Sequence, residues 1–245
     1  MGVGAQHVLR DPDHFTTFAF VSLMEDGERD FYFNRGADGQ LSMEDLSGLN
    51  LKEYSIVHFG SATGFLPGPL QSAYIDLLEK AKNAGAIISF DPNYRHLLFP
   101  NNTKSFIDQC WPFIEQAHFF KLSDEEAMLI TGCDTVQHAA AALRKKSKAV
   151  FAITMGKEGT LLSMGDHLEM IGSIAITPVD ATGAGDAFVG AVLFQLIDSN
   201  PSLLEKIDLD NWKKMISNAN KAGARTCEFM GAMEAFKHLN KSIFN

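Results

Sequence analysis

Hydrophobic positions along the chain change their period several times, and the changes mark the elements. Between residues 15 and 34, apolar Phe15, Phe18 and Phe20 precede Asp26-Gly27, and Phe31, Tyr32 and Phe33 follow it. Aromatic runs on both sides of a turn dipeptide predict two strands around a turn at 25–28. The run YSIVHFG is short, β-branched and aromatic, and it leads into a loop holding Pro67, Gly68 and Pro69. After it, Leu70, Ala73, Tyr74, Leu77, Leu78 and Ala81 recur at helical spacing, which predicts an amphipathic helix over 70–83. Gly85 ends that helix, and AIISFD reads as the next strand.

The same alternation continues downstream. FIDQCWPFIEQ reads as a helix and AHFFKL as a strand, and Ser123 with Glu126 fits a capping box at the next helix start. TVQHAAAALRKKS is a helix whose basic residues fall near its C-terminus, where the dipole favours them. KAVFAITM is an apolar strand, Gly156 and Gly159 punctuate a turn into TLLSM, and Gly165-Asp166 suggests a hairpin. Two helices, near 211–225 and 231–240, close the chain. Strands alternating with helices at this interval require crossover connections, and so a mostly parallel sheet covered on both faces. With no linker, repeat or low-complexity tract, residues 1–245 read as a single α/β domain with a small β appendage near the N-terminus.

Composition narrows the chemistry. Lys and Arg total 21 against 30 Asp and Glu, a formal net charge of −9. That balance argues against a reader of nucleic-acid backbones, which needs clustered basic charge. The three cysteines, Cys110, Cys133 and Cys227, are too few and too far apart for a disulfide scaffold or zinc cluster. No signal-like stretch opens the sequence and no apolar run has membrane-spanning length, so a cytoplasmic protein with no membrane partner is expected.

The most informative stretch is PVDATGAGDAFVGAVLFQL, residues 178–196. Gly183 and Gly185 flank Ala184 and precede a helical pattern of Ala187, Phe188, Ala191, Val192 and Gln195. Glycines before a helix let backbone N–H groups converge, and with the positive helix end they make an anion site. Asp186 lies inside that turn, an arrangement suited to a base that deprotonates a hydroxyl attacking a phosphoryl group. The same residues also suit a plain helix cap at a tight junction. The lysine and hydroxyl of a Walker loop are missing, and so is the dinucleotide spacing.

DATGAGDAF at 180–188 resembles the C-terminal signature of the ribokinase/pfkB family of carbohydrate kinases. Four more stretches agree in family order: GERDFYFNRGAD, SFDPNYR, KLSDEEAMLITG and TMGKEG. They are most similar to the fructokinase branch, and the resemblance runs over essentially the whole chain. It implies a three-layer α/β/α ribokinase-like sandwich with a mostly parallel central sheet, with residues 15–38 contributing the strands of a small lid. It also implies an ATP-dependent kinase acting on a primary hydroxyl of a small sugar such as fructose, with Mg2+. In that scheme Asp186 is the general base, and the amides of Gly183, Ala184 and Gly185 receive the phosphoryl charge. Glu126 organises magnesium through water. Thr154, Gly156 and Gly159 lie along the nucleotide, with Asn220 bordering the adenine. Asp91, Asn93, Arg95 and Arg35 are the sugar or phosphate contacts, and a homodimer through the lid is expected.

Two departures from the family pattern stand out: Ser123 replaces a common asparagine and Ala181 a common threonine. Neither removes the base or the glycines. The resemblance also implies that the family's first strand and early Gly-Gly region, which carry sugar ligands, belong before the point where this sequence begins. Three competing expectations follow. The acceptor is another sugar, such as 2-keto-3-deoxygluconate or ribose, or a nucleoside. The chain is a catalytically impaired nucleotide-binding protein with a regulatory or interaction role. The third, an oxidoreductase with a Rossmann-like site, lacks its fingerprint.

Overall fold

A computed structural model describes residues 4–23 and 29–244, so the turn expected at 25–28 lies outside the described residues. Strands β1 (Phe18–Leu23) and β2 (Arg29–Asn34) form an antiparallel ribbon. A second sheet has six strands in chain order: β3 (Ile56–Gly60), β4 (Ile87–Asp91), β5 (Phe119–Ser123), β6 (Val150–Thr154), β7 (Thr160–Met164) and β8 (His167–Ile171). The first four are parallel, and β7 and β8 extend the sheet antiparallel. β3 and β8 are its edges among the described residues.

The helices are α1 (Pro69–Ala84), α2 (Thr103–Gln116), α3 (Asp124–Thr131), α4 (Val136–Lys146), α5 (Ala184–Gln195), α6 (Pro201–Leu204) and α7 (Leu209–Thr226). Local chemistry explains their ends. Pro69 starts α1, where its missing N–H costs nothing, and Gly85 stops it with φ 77° while donating to Ala81 and Lys82 carbonyls. Both halves of the capping box form at α3: Ser123 accepts from the Glu126 N–H, and Glu126 reaches back to the Ser123 N–H. Thr135 and Asp208 cap α4 and α7. Pro112 sits inside α2; the carbonyl it leaves without a donor is that of Asp108, on the helix's exposed face.

Strand alternation sorts the interior into two layers. Phe59, Ile88, Phe90, Phe120, Leu122, Phe151 and Ile153 point to one side, where they pack with α1 through α4. Ile87, Phe119, Val150, Ala152 and Leu162 point to the other side and carry α5 and α7. The result is the three-layer α/β/α sandwich with a mixed, mostly parallel sheet and small lid strands. Phe113 is fully buried at the centre of the first layer, its ring 5.1–5.3 Å from those of Phe59, Phe65 and Phe90.

The ribbon docks on the sheet through its trailing end. Arg35 Nη1 donates to the Pro67 carbonyl at 2.6 Å and Nη2 to that of Thr63 at 3.1 Å. Thr17 Oγ1 bonds Asp38 and accepts from the Gly36 N–H, locking the ribbon base. One aromatic row, Phe15, Phe18, Phe20 and Tyr32, stays exposed, with neighbouring rings 5.6–6.5 Å apart.

The helix expected over 231–240 does not form; a 3-10 turn at Glu234–Lys237 takes its place. Gly231 enters the segment at φ 76°, and Ala235 is the turn's one buried residue. Met233 and Phe236 are more than half exposed, so no apolar stripe rewards a regular helix there. The other expected helices and strands are present, with ends shifted by a few residues.

Removing the Phe113 ring deletes contacts to two strands and a loop at once. Phe113→Ala should cost about 3–5 kcal/mol, read as a lowered urea midpoint with an unchanged slope.

Candidate active site

On the α5 side of the sheet, the inward positions change character toward the strand C-termini. β4 reads Ile87, Ser89, Asp91 on that face; β5 reads Phe119, Lys121, Ser123; β6 reads Val150, Ala152, Thr154. The apolar base of each strand carries the helices and the polar tip opens a site, on the side where parallel sheets bind ligands. His58 on β3, in register with Ser89, joins this row through Nδ1, 3.1 Å from Ser89 Oγ.

Above the tips stands the N-terminus of α5. Gly183 precedes it with φ 83°, and a Cβ there would lie 2.8 Å from Ala232 Cβ. Glycine is required at this position on both counts. Asp180, nearly buried, holds the turn from behind: its Oδ1 accepts from the Thr182 N–H and hydroxyl, its Oδ2 from the Gly231 N–H at 2.8 Å. The Ala184 N–H turns to the Ala181 carbonyl at 3.2 Å. The donors that head the opening are therefore those of Gly185 and Asp186, in the first turn, where a helix offers its N–H groups no internal acceptor. Asp186 itself is exposed in that turn.

Beneath the turn lies a charged cluster. Lys121 Nζ is 3.3 Å from Asp91 Oδ2, and both side chains are under 10% exposed. Burial pushes Asp91 up to about 6 and Glu126 adds to the rise, while Lys121 pulls the other way. Burial alone would lower Lys121; the carboxylates of Asp91, Glu126 and Asp186 reverse that and hold it raised and protonated. Desolvation lowers His58, Asp186 opposing and Lys121 reinforcing the shift.

The other expected residues fall into two groups. Asp91 turns the chain by accepting from the Asn93 N–H, and Asn93 takes φ 48°. Arg95 is exposed beside it, donating to the Tyr94 carbonyl. Thr154 ends β6, with its hydroxyl on the Leu122 carbonyl, and leads into the Gly156–Glu158 turn. Gly159, at φ 108°, lies so close to the Ile171 carbonyl that no side chain fits. These residues crown the strand tips together with Asp186.

Arg35 and Asn220 are instead committed inside the fold. Arg35 is spent on the Pro67 and Thr63 carbonyls. Asn220, on α7, accepts from Thr160 Oγ1 at 2.6 Å and donates to the Ile171 and Gly172 carbonyls, clipping the β7–β8 hairpin to the helix. Glu126 receives the Tyr94 N–H on one oxygen and the Ser123 N–H on the other, at 2.7 and 2.8 Å. Among the described residues no three His, Cys, Asp or Glu side chains converge on a metal position.

Sequence reasoning passed over Lys121, His58 and Asp180. Lys121 had a signal, since a lysine two positions from Phe119 in an apolar strand shares that residue's buried face.

Comparison with known proteins gives this geometry its relatives. A family model described as pfkB family carbohydrate kinase matches residues 1–238. Probable fructokinase-4 of Arabidopsis thaliana is 33% identical over 237 residues, and fructokinase-1 of Zea mays 35%. These alignments take in 96% and 95% of this chain and 71% of each relative. Among solved structures, a fructokinase double mutant from Vibrio cholerae O395, bound to fructose, ADP and potassium ion, superposes with a TM-score of 0.83 at 25% identity. It covers 98% of this chain and 74% of that one. Aminoimidazole riboside kinase from Salmonella enterica matches at TM-score 0.73 and 29% identity, over 84% of this chain and 67% of its own. No helix among the described residues is long and apolar enough to cross a membrane. The polar strand tips, the glycine turn and the carboxylate above them thus sit on the scaffold of a known group, and the chain belongs to the pfkB family of carbohydrate kinases.

Proposed function

We propose that this protein transfers the γ-phosphoryl group of ATP to a primary hydroxyl of a small sugar, with fructose the first choice of acceptor. The observation that carries this reading is Asp186 in the first turn of α5, beside backbone donors and over the polar C-terminal edge of the sheet. The fructokinase relatives support the acceptor; the riboside kinase keeps nucleoside-like acceptors among the alternatives.

Asp186 takes the hydroxyl proton as the sugar oxygen attacks the γ-phosphorus. The new O–P bond forms as the bond to the β-phosphate bridging oxygen breaks, and ADP leaves with that oxygen. The Gly185 and Asp186 N–H groups, presented by the Gly183–Ala184–Gly185 turn, receive charge on the transferring oxygens. Thr154, Gly156 and Gly159 line the nucleotide. Asn220 serves it from behind by fixing the start of β7 and the end of β8, against which Gly159 packs. Asp91, Asn93 and the outward-facing Arg95 meet the sugar, and Arg35 closes the lid by tying it to the 63–67 loop, which excludes water.

Both Glu126 oxygens are taken by backbone donors, so this carboxylate suits a magnesium ion only through water, using its remaining lone pairs. When bound with ATP, the ion neutralises phosphate charge. The exposed aromatic row on the ribbon fits a homodimer through the lid, and three free cysteines fit a reducing cytoplasm.

Asp186→Asn should retain ATP binding while lowering kcat by at least about 10²-fold, measured by coupled ADP release. Run on fructose, ribose, 2-keto-3-deoxygluconate and a nucleoside, the wild-type assay identifies the acceptor. Equal rates with all would overturn the fructose assignment, and ATP binding without turnover on any would favour a regulatory role. Gly183→Ala must force φ 83° on a residue with a Cβ and press it on Ala232. It should lose about 1–2 kcal/mol from the backbone alone, with a greater loss of kcat than Phe113→Ala shows at equal destabilisation.

A further inference from the structure

Gly183 precedes α5 and Gly185 lies in its first turn, and they are there for different reasons. Gly183 needs its left-handed backbone. Gly185 does not: it is helical, with φ outside the positive range. At position 185 the constraint is space: a Cβ there would stand 3.2 Å from Lys121 Nζ, and the paired ammonium would have to give way by a few tenths of an ångström. The closest neighbour of the missing side chain is thus an ammonium group, brought up from the sheet against the underside of the first helical turn.

Carboxylates on three of the elements around it hold that ammonium there. Asp91 on β4 pairs with it at 3.3 Å. The carboxylates of Glu126 on α3 and Asp186 on α5 add attraction, and His58 on β3 feels its charge. A lysine with only 7% of its surface exposed is costly to bury. Neutralising Asp91 alone would not require its Nζ to lie against Gly185.

Resting on the phosphotransferase reading above, we infer that Lys121 is a positioning residue for phosphoryl transfer: its charge, admitted by the absent side chain at 185, backs the anion-receiving turn of α5 from below. The N–H groups face the phosphoryl and the ammonium stands behind them, fixed before reaction. Preorganised charge of this kind acts most on the transition state, where negative charge on the transferring group is greatest. It should therefore appear in kcat rather than in KM for ATP or sugar.

The test compares wild type, Lys121→Met and the double variant Lys121→Met/Asp91→Asn. The double variant removes both charges of the Lys121–Asp91 pair and leaves Glu126 on its backbone donors, and so keeps a folded protein available if the single variant unfolds. Calorimetry measures the affinity for ADP in magnesium buffer, with and without aluminium fluoride, a mimic of the phosphoryl in flight. Both variants should bind ADP within about threefold of wild type yet lose at least about tenfold of the extra affinity conferred by fluoride. With the acceptor found above, kcat should fall by a similar factor while KM for ATP holds. A double variant that keeps the full fluoride-dependent gain would overturn the inference, because Lys121 would then only neutralise Asp91. A wild type that binds ADP but gains nothing from aluminium fluoride would overturn it too, leaving the sugar assay to judge the broader reading. Failure of the wild type to bind ADP would sink both.

Discussion

Everything in the proposed site depends on how closely α5 can be seated on the sheet. A helix N-terminus acts on a ligand at the strand tips only if its first turn reaches them, and side chains normally keep helix and sheet about 10 Å apart. Here the approach is made by omission. Gly183 lets the chain turn under Ala232, Gly185 clears Lys121, and Gly223 lets α7 bring its backbone within reach of the Ala184 carbonyl. Lower down, Phe188, Val189 and Val192 restore ordinary apolar packing against Ile87, Phe119 and the strand bases. The helix is thus anchored by its greasy end and held near the strand tips by its bare one.

The polar strand tips share this logic. A parallel sheet covered on both faces has no natural place for Asp91, Lys121 or Glu126, and each is almost fully enclosed. They are tolerated because they satisfy one another and the backbone around them: Lys121 with Asp91, Glu126 with the Tyr94 and Ser123 N–H groups. Glu126 therefore has two duties, closing the capping box of α3 and placing a carboxylate beside the buried ion pair.

Much of this was legible in the sequence. Helical spacing over 70–83, the capping box at Ser123 and the Gly165-Asp166 hairpin are local signals, and each element formed. The glycine turn with Asp186 was visible because it combines special backbone needs with one charged residue. What escaped the sequence was long-range. Nothing local tells that Arg35 will bind the carbonyls of Thr63 and Pro67, or that Asn220 will bridge α7 to residues 160, 171 and 172; those pairings exist only once the layers close. The helix expected at 231–240 failed for a related reason: its hydrophobic residues carry helical spacing, but the tertiary structure gives them no surface to cover.

The outer edge of β3 has a different kind of consequence. In the described structure this strand, with half-buried Ile56 and Val57, pairs on one side only. Its other side offers a row of backbone donors and acceptors to any extended chain that meets it. Among the described residues it is thus one of the two places where this sheet can grow, and a segment laid there in register with Ile56–Gly60 would extend it by one strand.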